Sequence, residues 1–225
     1  MSRPLAVVCV SGGMDSAVTA AIAAAGHRLA FLHANYGQRT EKAELGCFEA
    51  LAAHFGAEAR LVVDFSALRS IGGSSLTDRA IPVREGSPID GVIPTSYVPF
   101  RNAHLLSAAA SWAEVLGASA IFVGAVWEDS SGYPDCRPVF YEAFQEAIRQ
   151  GTRPETHIRI LTPVIALTKA RIVEKGVELA VPFEKTWSCY QTNDEACGAC
   201  ESCVLRLKGF ADAGVRDPIP YRSQA

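Results

Sequence analysis

The hydrophobic pattern of the chain changes period in a regular way. Residues 5–10 form an unbroken apolar run suited to a central parallel strand, and 15–25 beyond it are alanine-rich with Gly26 as a helix stop. The same phrase recurs along the first two thirds. Residues 29–34 read as a second strand, 41–55 as a helix closed by Gly56, 59–63 as a third strand, 102–116 as a helix closed by Gly117, and 120–124 as a fourth strand. Strands alternating with helices predict an α/β fold, a doubly wound, mainly parallel, Rossmann-like sheet with right-handed crossovers and ligands at the carboxyl ends of its strands. Between 66 and 99 the pattern fails. Gly72-Gly73-Ser74-Ser75, Pro82, Gly86, Pro88, Gly91 and Pro94 make a long irregular connection, a candidate lid, with a disordered insertion as the rival. A helix over 168–179 then leads into a cysteine-rich end.

Composition narrows the class. With 225 residues, 49% apolar and 20% charged, the chain can bury a substantial core. Its net charge of −3 provides no basic field for a phosphate backbone, so no direct nucleic-acid partner is expected. The apolar run at 5–10 is too short for a secretory core, and 105–127, though nearly uncharged, divides at Gly117 into a buried helix and strand instead of a membrane span. A cytoplasmic protein without membrane contact is expected, organised as an α/β domain over 1–184 and a cysteine-rich lobe over 185–225.

Candidate chemistry begins directly after the first strand, at Ser11-Gly12-Gly13-Met14-Asp15-Ser16. Glycines allow backbone N–H groups to converge, and the helix start behind them adds unpaired donors and a positive dipole end, which together suit an anion. A plain tight turn would need only the glycines. The flanking serines and Asp15 are groups that a phosphate and its Mg²⁺ use. The loop is neither a Walker A nor a dinucleotide G-x-G-x-x-G sequence.

Cys189, Cys197, Cys200 and Cys203 follow the spacing C-x7-C-x2-C-x2-C. Overlapping C-x-x-C turns bring thiolates to one side of a tight loop, as tetrahedral Zn²⁺ requires; an iron–sulfur cluster or redox chemistry uses similar ligands. Cys9 and Cys47 read as small buried hydrophobes.

The loop resembles the PP-loop of the N-type ATP pyrophosphatases. Further stretches resemble one of their families, 7-cyano-7-deazaguanine synthase: Tyr36-Gly37-Gln38-Arg39, Val98-Pro99 with Arg101-Asn102, Ser131-Gly132-Tyr133-Pro134-Asp135-Cys136-Arg137, Leu167-Thr168-Lys169, and Thr186-Trp187-Ser188-Cys189-Tyr190 with the trailing cysteines. The resemblance runs in order from Val7 to about Phe210. It departs at Phe100, where the family usually has glycine, and at Ser130, where it usually has an aromatic residue.

The resemblance implies that Val10, Ser11, Gly12, Gly13, Met14, Asp15, Ser16, Ala17 and Val18 hold ATP with help from Gln38 and Arg39. Read alone, 36–39 would be a solvated turn. It implies catalytic roles for Asp15, Arg101 and Lys169, the lysine neutralising phosphate where composition alone suggests a surface residue. Asn102, Asp129, Tyr133, Asp135 and Arg137 become candidates for the substrate, with Asp129 or Asp135 pairing with a guanine-like amidine. The implied substrates are 7-carboxy-7-deazaguanine, ammonia and ATP, with Mg²⁺ and Zn²⁺ as metals and a homodimer as the expected assembly. The implied reaction is adenylation of the carboxylate, displacement by ammonia, then adenylation of the amide and elimination to the nitrile. The rivals are a PP-loop enzyme acting directly on tRNA and a non-catalytic zinc-knuckle module.

Overall fold

The computed structural model describes residues 3–127 and 132–222. Five strands, β1 (Leu5–Cys9), β2 (Arg28–Asn35), β3 (Ala59–Asp64), β4 (Ala120–Val123) and β5 (Arg159–Leu161), pair in the order β3-β2-β1-β4-β5. Every pairing is parallel. The helices are α1 (Met14–Gly26), α2 (Glu41–Phe55), α3 (Ala67–Ile71), α4 (Arg101–Leu116), α5 (Pro138–Gly151), α6 (Lys169–Glu178) and α7 (Glu201–Asp212). The expected doubly wound fold is the one observed.

Alternation along the central strand divides the core. Ala6, Val8 and Val10 face one layer with Val18, Phe48, Ile172 and Phe210, while Val7 and Cys9 face the other with Leu106, Ala109, Tyr141 and Ile148. Thus α1, α2, α6 and α7 cover one face and α4 and α5 the other. Both faces of β1 are dry, which is why its sequence shows no polar alternation. The chain runs from β1 toward β3 and returns across to β4, so the switch point lies between β1 and β4, at paired residues Cys9 and Val123.

Three elements go beyond the expectations from the sequence. Helix α5 carries Pro138 at its first position and Tyr141, Phe144 and Ile148 along one stripe. Strand β5 is three residues long with Arg159 exposed. Helix α7 begins inside the last C-x-x-C, with Cys200 as its N-cap, so Cys203 lies in its first turn and not in a free loop. Through α7 the cysteine-rich tail also enters the main core, since Phe210 packs among α6 and Val18.

The connection over 66–99 contains the short α3 and is otherwise irregular. It is fastened to the cysteine end. Gly86 N donates to Ala199 O at 2.9 Å, Glu85 bridges Cys200, and Arg84 Nη1 lies 3.5 Å from the buried Glu201 carboxylate. Among the described residues no helix is long and apolar enough to cross a membrane.

Candidate active site at the strand ends

A cavity of about 260 Å³ opens at the switch point. Its floor is the loop between β1 and α1. Gly12 has φ +87°, and a Cβ there would meet the Glu44 carbonyl oxygen at 2.7 Å, so only glycine admits the α2 backbone this close. A Cβ on Gly124, just after β4, would stand 2.8 Å from the Ser16 nitrogen. The loop is pinned by Trp187 N, which donates to Gly12 O at 2.8 Å, and by Ser16 Oγ, which donates to Gly13 O at 2.9 Å. Helix α1 therefore starts at the cavity with its first N–H groups lacking intrahelical acceptors.

Lys169 reaches this loop from the first position of α6, where Thr168 caps the helix by accepting from Arg171 N. Its Nζ donates to Asp15 Oδ2 at 2.7 Å. The other oxygen, Asp15 Oδ1, is buried without a hydrogen-bond partner among the described residues. A buried carboxylate oxygen with an open coordination position beside an anion-binding loop suits a hard cation.

A second wall comes from α4 and the turn at 132–137. Arg101 Nη1 donates to Tyr36 Oη at 2.7 Å, and the guanidinium carbon lies 5.1 Å from the Tyr36 ring centre and 5.9 Å from that of Tyr133. Tyr133 Oη donates to Ser96 Oγ at 2.9 Å and lies 3.3 Å from Tyr190 Oη. Asn102 locks the turn: its N donates to Asp135 Oδ2 at 2.9 Å and its Nδ2 to Asp135 O at 3.0 Å. Burial pushes the Asp135 carboxyl above the usual range despite these contacts.

Of the residues singled out in the sequence, Val10, Ser11, Gly13, Met14, Asp15, Ser16, Arg101, Asn102, Tyr133 and Lys169 line one cavity. Others go elsewhere. Ala17 and Val18 are core residues of α1, and Gly12 lies behind the loop against α2. Gln38 turns inward, accepting from Tyr36 N at 2.8 Å and donating to Glu44 Oε2 at 3.0 Å. Arg39 points to the long connection, donating to the carbonyls of Ser75, Asp78 and Ile81 at 2.6, 3.0 and 2.8 Å. Its guanidinium is occupied by backbone, as an organiser of that segment. Asp135 is held behind Asn102, and Arg137 donates to Pro134 O on the surface. Asp129, Ser130 and Ser131 lie outside the described residues.

The cavity also contains Tyr36, Glu44, Tyr190 and Arg206, none of them singled out as a site residue. Arg206 forms a bidentate pair with Asp217, at 2.7 and 2.9 Å. In the sequence it stands mid-helix beside leucines with its carboxylate 11 residues away, so no local spacing marks it.

The Sγ atoms of Cys189, Cys197, Cys200 and Cys203 all lie within 4.8 Å of one another. Tetrahedral zinc with Zn–S bonds of about 2.3 Å needs edges of roughly 3.8 Å, so a small contraction closes the set. Backbone N–H groups already point at the sulfurs: Gln191 N and Cys197 N at Cys189 Sγ, and Ala199 N and Cys200 N at Cys197 Sγ, at 3.3–3.4 Å. Burial pushes the Cys9 thiol up to about 12 and the Cys47 thiol up to about 11, which keeps both protonated and inert.

Comparison with known proteins gives the arrangement a context. A family model described as "Queuosine biosynthesis protein QueC" matches residues 5–214. The 7-cyano-7-deazaguanine synthase of Chloroherpeton thalassium is 60% identical over 218 residues, covering 96% of each chain. The protein of the same name from Chlorobium chlorochromatii is 56% identical over 220 residues, covering 97% of this chain and 96% of that one. Among solved structures, NMN synthetase from Francisella tularensis aligns with 96% of this chain and 74% of its own at 14% identity and a TM-score of 0.47.

Proposed function

The chain belongs to the QueC family of queuosine biosynthesis proteins, and from that premise we propose that it is an ATP-dependent 7-cyano-7-deazaguanine synthase, converting 7-carboxy-7-deazaguanine and ammonia to the nitrile. The observation that carries the reading is the Lys169–Asp15 pair set against the Gly12-Gly13 loop, in the same cavity as Arg101 and its tyrosines.

A carboxylate does not lose oxide to ammonia at neutral pH, because the leaving group is too basic. Transfer of an adenylyl group from ATP turns that oxygen into a phosphate leaving group and releases pyrophosphate; ammonia then displaces AMP to give the amide. A second adenylation, on the amide oxygen, allows elimination of AMP to the nitrile. Loop N–H groups and Lys169 stabilise the charge that builds on the phosphates, and the cavity walls hold the two reactants together. Asp15 Oδ1 would hold Mg²⁺, which supplies charge neutralisation on the triphosphate. Cys189, Cys197, Cys200 and Cys203 would hold a structural zinc. The occupied Arg39 guanidinium leaves nucleotide contact to the loop and Lys169.

Direct action on tRNA is not favoured, because a net charge of −3 offers no broad cationic surface. Purified protein supplied with 7-carboxy-7-deazaguanine, ammonia and Mg-ATP is expected to form the nitrile, read by mass spectrometry, with AMP and pyrophosphate. Release of ADP and orthophosphate instead would sink the mechanism.

A further inference from the structure

Three cationic side chains among the described residues line the cavity, and two are neutralised. Lys169 pairs with Asp15 at 2.7 Å, and Arg206 pairs with Asp217 through two hydrogen bonds. Arg101 differs. Its partners are aromatic: the Tyr36 hydroxyl accepts one hydrogen bond, and the Tyr36 and Tyr133 rings flank the guanidinium. Two acidic groups act on it at longer range, and both are engaged. Asp135 Oδ2 accepts from Asn102 N, while the Glu44 oxygens accept from Thr40 Oγ1 at 2.7 Å and from Gln38 Nε2 at 3.0 Å.

A guanidinium offers five N–H donors in a planar fork that matches a carboxylate bidentately. One of those donors is spent on Tyr36. Among the described residues the cavity thus retains one cation without a carboxylate partner, held between tyrosine rings, while the phosphate loop has its own lysine. Resting on the synthase reading, we propose that Arg101 is the specificity residue that binds the carboxylate of the deazapurine substrate, with Tyr36 and Tyr133 as positioning residues that hold its plane. The tyrosines add flat faces suited to a bicyclic ring. The same guanidinium chemistry would serve a phosphate of ATP, so the two anions need separate arms in the test.

The reaction provides those arms, because its amide intermediate is the same ring without the charge. The conversions of acid and of amide to nitrile are measured separately for the full-length protein and Arg101→Gln, with KM for ATP in each. Loss of a charge-assisted pair is expected to lower kcat/KM for the acid on the order of 30-fold more than for the amide, with KM for ATP changed less than about threefold. Equal losses for acid and amide, or a loss concentrated in KM for ATP, would overturn the assignment. Tyr36→Phe, which keeps the ring and removes the acceptor, is expected to raise KM for the acid several-fold more than KM for the amide. No such split in this milder variant counts equally against the assignment. If the wild-type protein converts neither compound, the synthase reading itself fails.

Discussion

A methyl group on Gly209 would stand 2.7 Å from Cβ of Lys169 and 3.1 Å from its carbonyl carbon. Gly209 lies inside α7, where alanine would ordinarily favour the helix by about 1 kcal/mol. Here the neighbour is the backbone and first side-chain carbon of the residue that reaches Asp15. Gly209→Ala is therefore expected to destabilise the fold by about 1–3 kcal/mol, and to lower kcat on the order of tenfold or more by shifting Lys169 from the loop. Urea denaturation and steady-state kinetics check the two effects. A variant more stable than the parent with unchanged turnover would show that α6 and α7 are not packed as described.

The cysteine cluster and the long connection share hydrogen bonds, so metal removal is expected to act at a distance. Cys200 bridges Glu85, Ala199 O accepts from Gly86 N, and Glu201 N donates to Arg84 O at 3.4 Å. The parent is expected to carry one zinc per chain and Cys200→Ser near none, with the exposed stretch around Ile89, Val92 and Ile93 opened to protease in the variant. Elemental analysis with limited proteolysis measures both. Cleavage confined to the tail beyond 203 would show that the connection is held by other means.

The repeating part of the fold is legible because its βα units have a clear period and two of their helices a glycine stop: Gly56 and Gly117 adopt left-handed φ values of +63° and +65° where the sequence ends α2 and α4. The cysteine spacing and the loop were legible because their chemistry is local. Helix α5 begins at Pro138, directly after the 131–137 motif, and is marked in the sequence only by its apolar stripe of Tyr141, Phe144 and Ile148. Arg206 and Glu44 could not be found in this way. Each becomes a cavity residue only through contacts between distant elements, as when Arg206 meets Thr186, Ser188 and Asp217. Arg39 shows the opposite case, where a cation beside the sheet edge serves the backbone of a loop that has no periodic signal.

Phe100, one of the two departures from the family pattern, occupies the left-handed region at φ +59° and ψ +23°, immediately before α4. That conformation fits the glycine that the family resemblance implies at this position, because a Cβ there costs about 1–2 kcal/mol. Phe100 is 57% exposed, and its ring meets Phe140 edge-on at 6.1 Å, a partial offset. Two truncations separate strain from contact. Phe100→Gly is expected to be more stable than Phe100→Ala by about 1 kcal/mol, reversing the usual order of these residues in regular structure. Thermal unfolding of both variants decides it, and alanine equal to or above glycine would mean the backbone is not left-handed at this position.

Glu44 sets an expected dependence of stability on pH. Burial on α2 beside the cavity raises its carboxyl above the ordinary value of 4.5, and the donors Thr40 and Gln38 offset this only in part. Between 4.5 and the raised value the folded chain binds more protons than the unfolded one, so this group's contribution to stability is full below 4.5 and is lost as pH rises through the folded pKa. Glu44→Gln keeps the shape and cannot titrate. Its midpoint of unfolding relative to wild type is therefore expected to improve as pH rises from about 4.5 toward neutrality and then level off, on top of a constant penalty of about 1 kcal/mol for one mismatched hydrogen bond. Unfolding midpoints of both proteins across that range provide the measurement. A flat difference would mean that Arg101 and the two donors balance the desolvation of Glu44, and one that worsens with pH that they outweigh it.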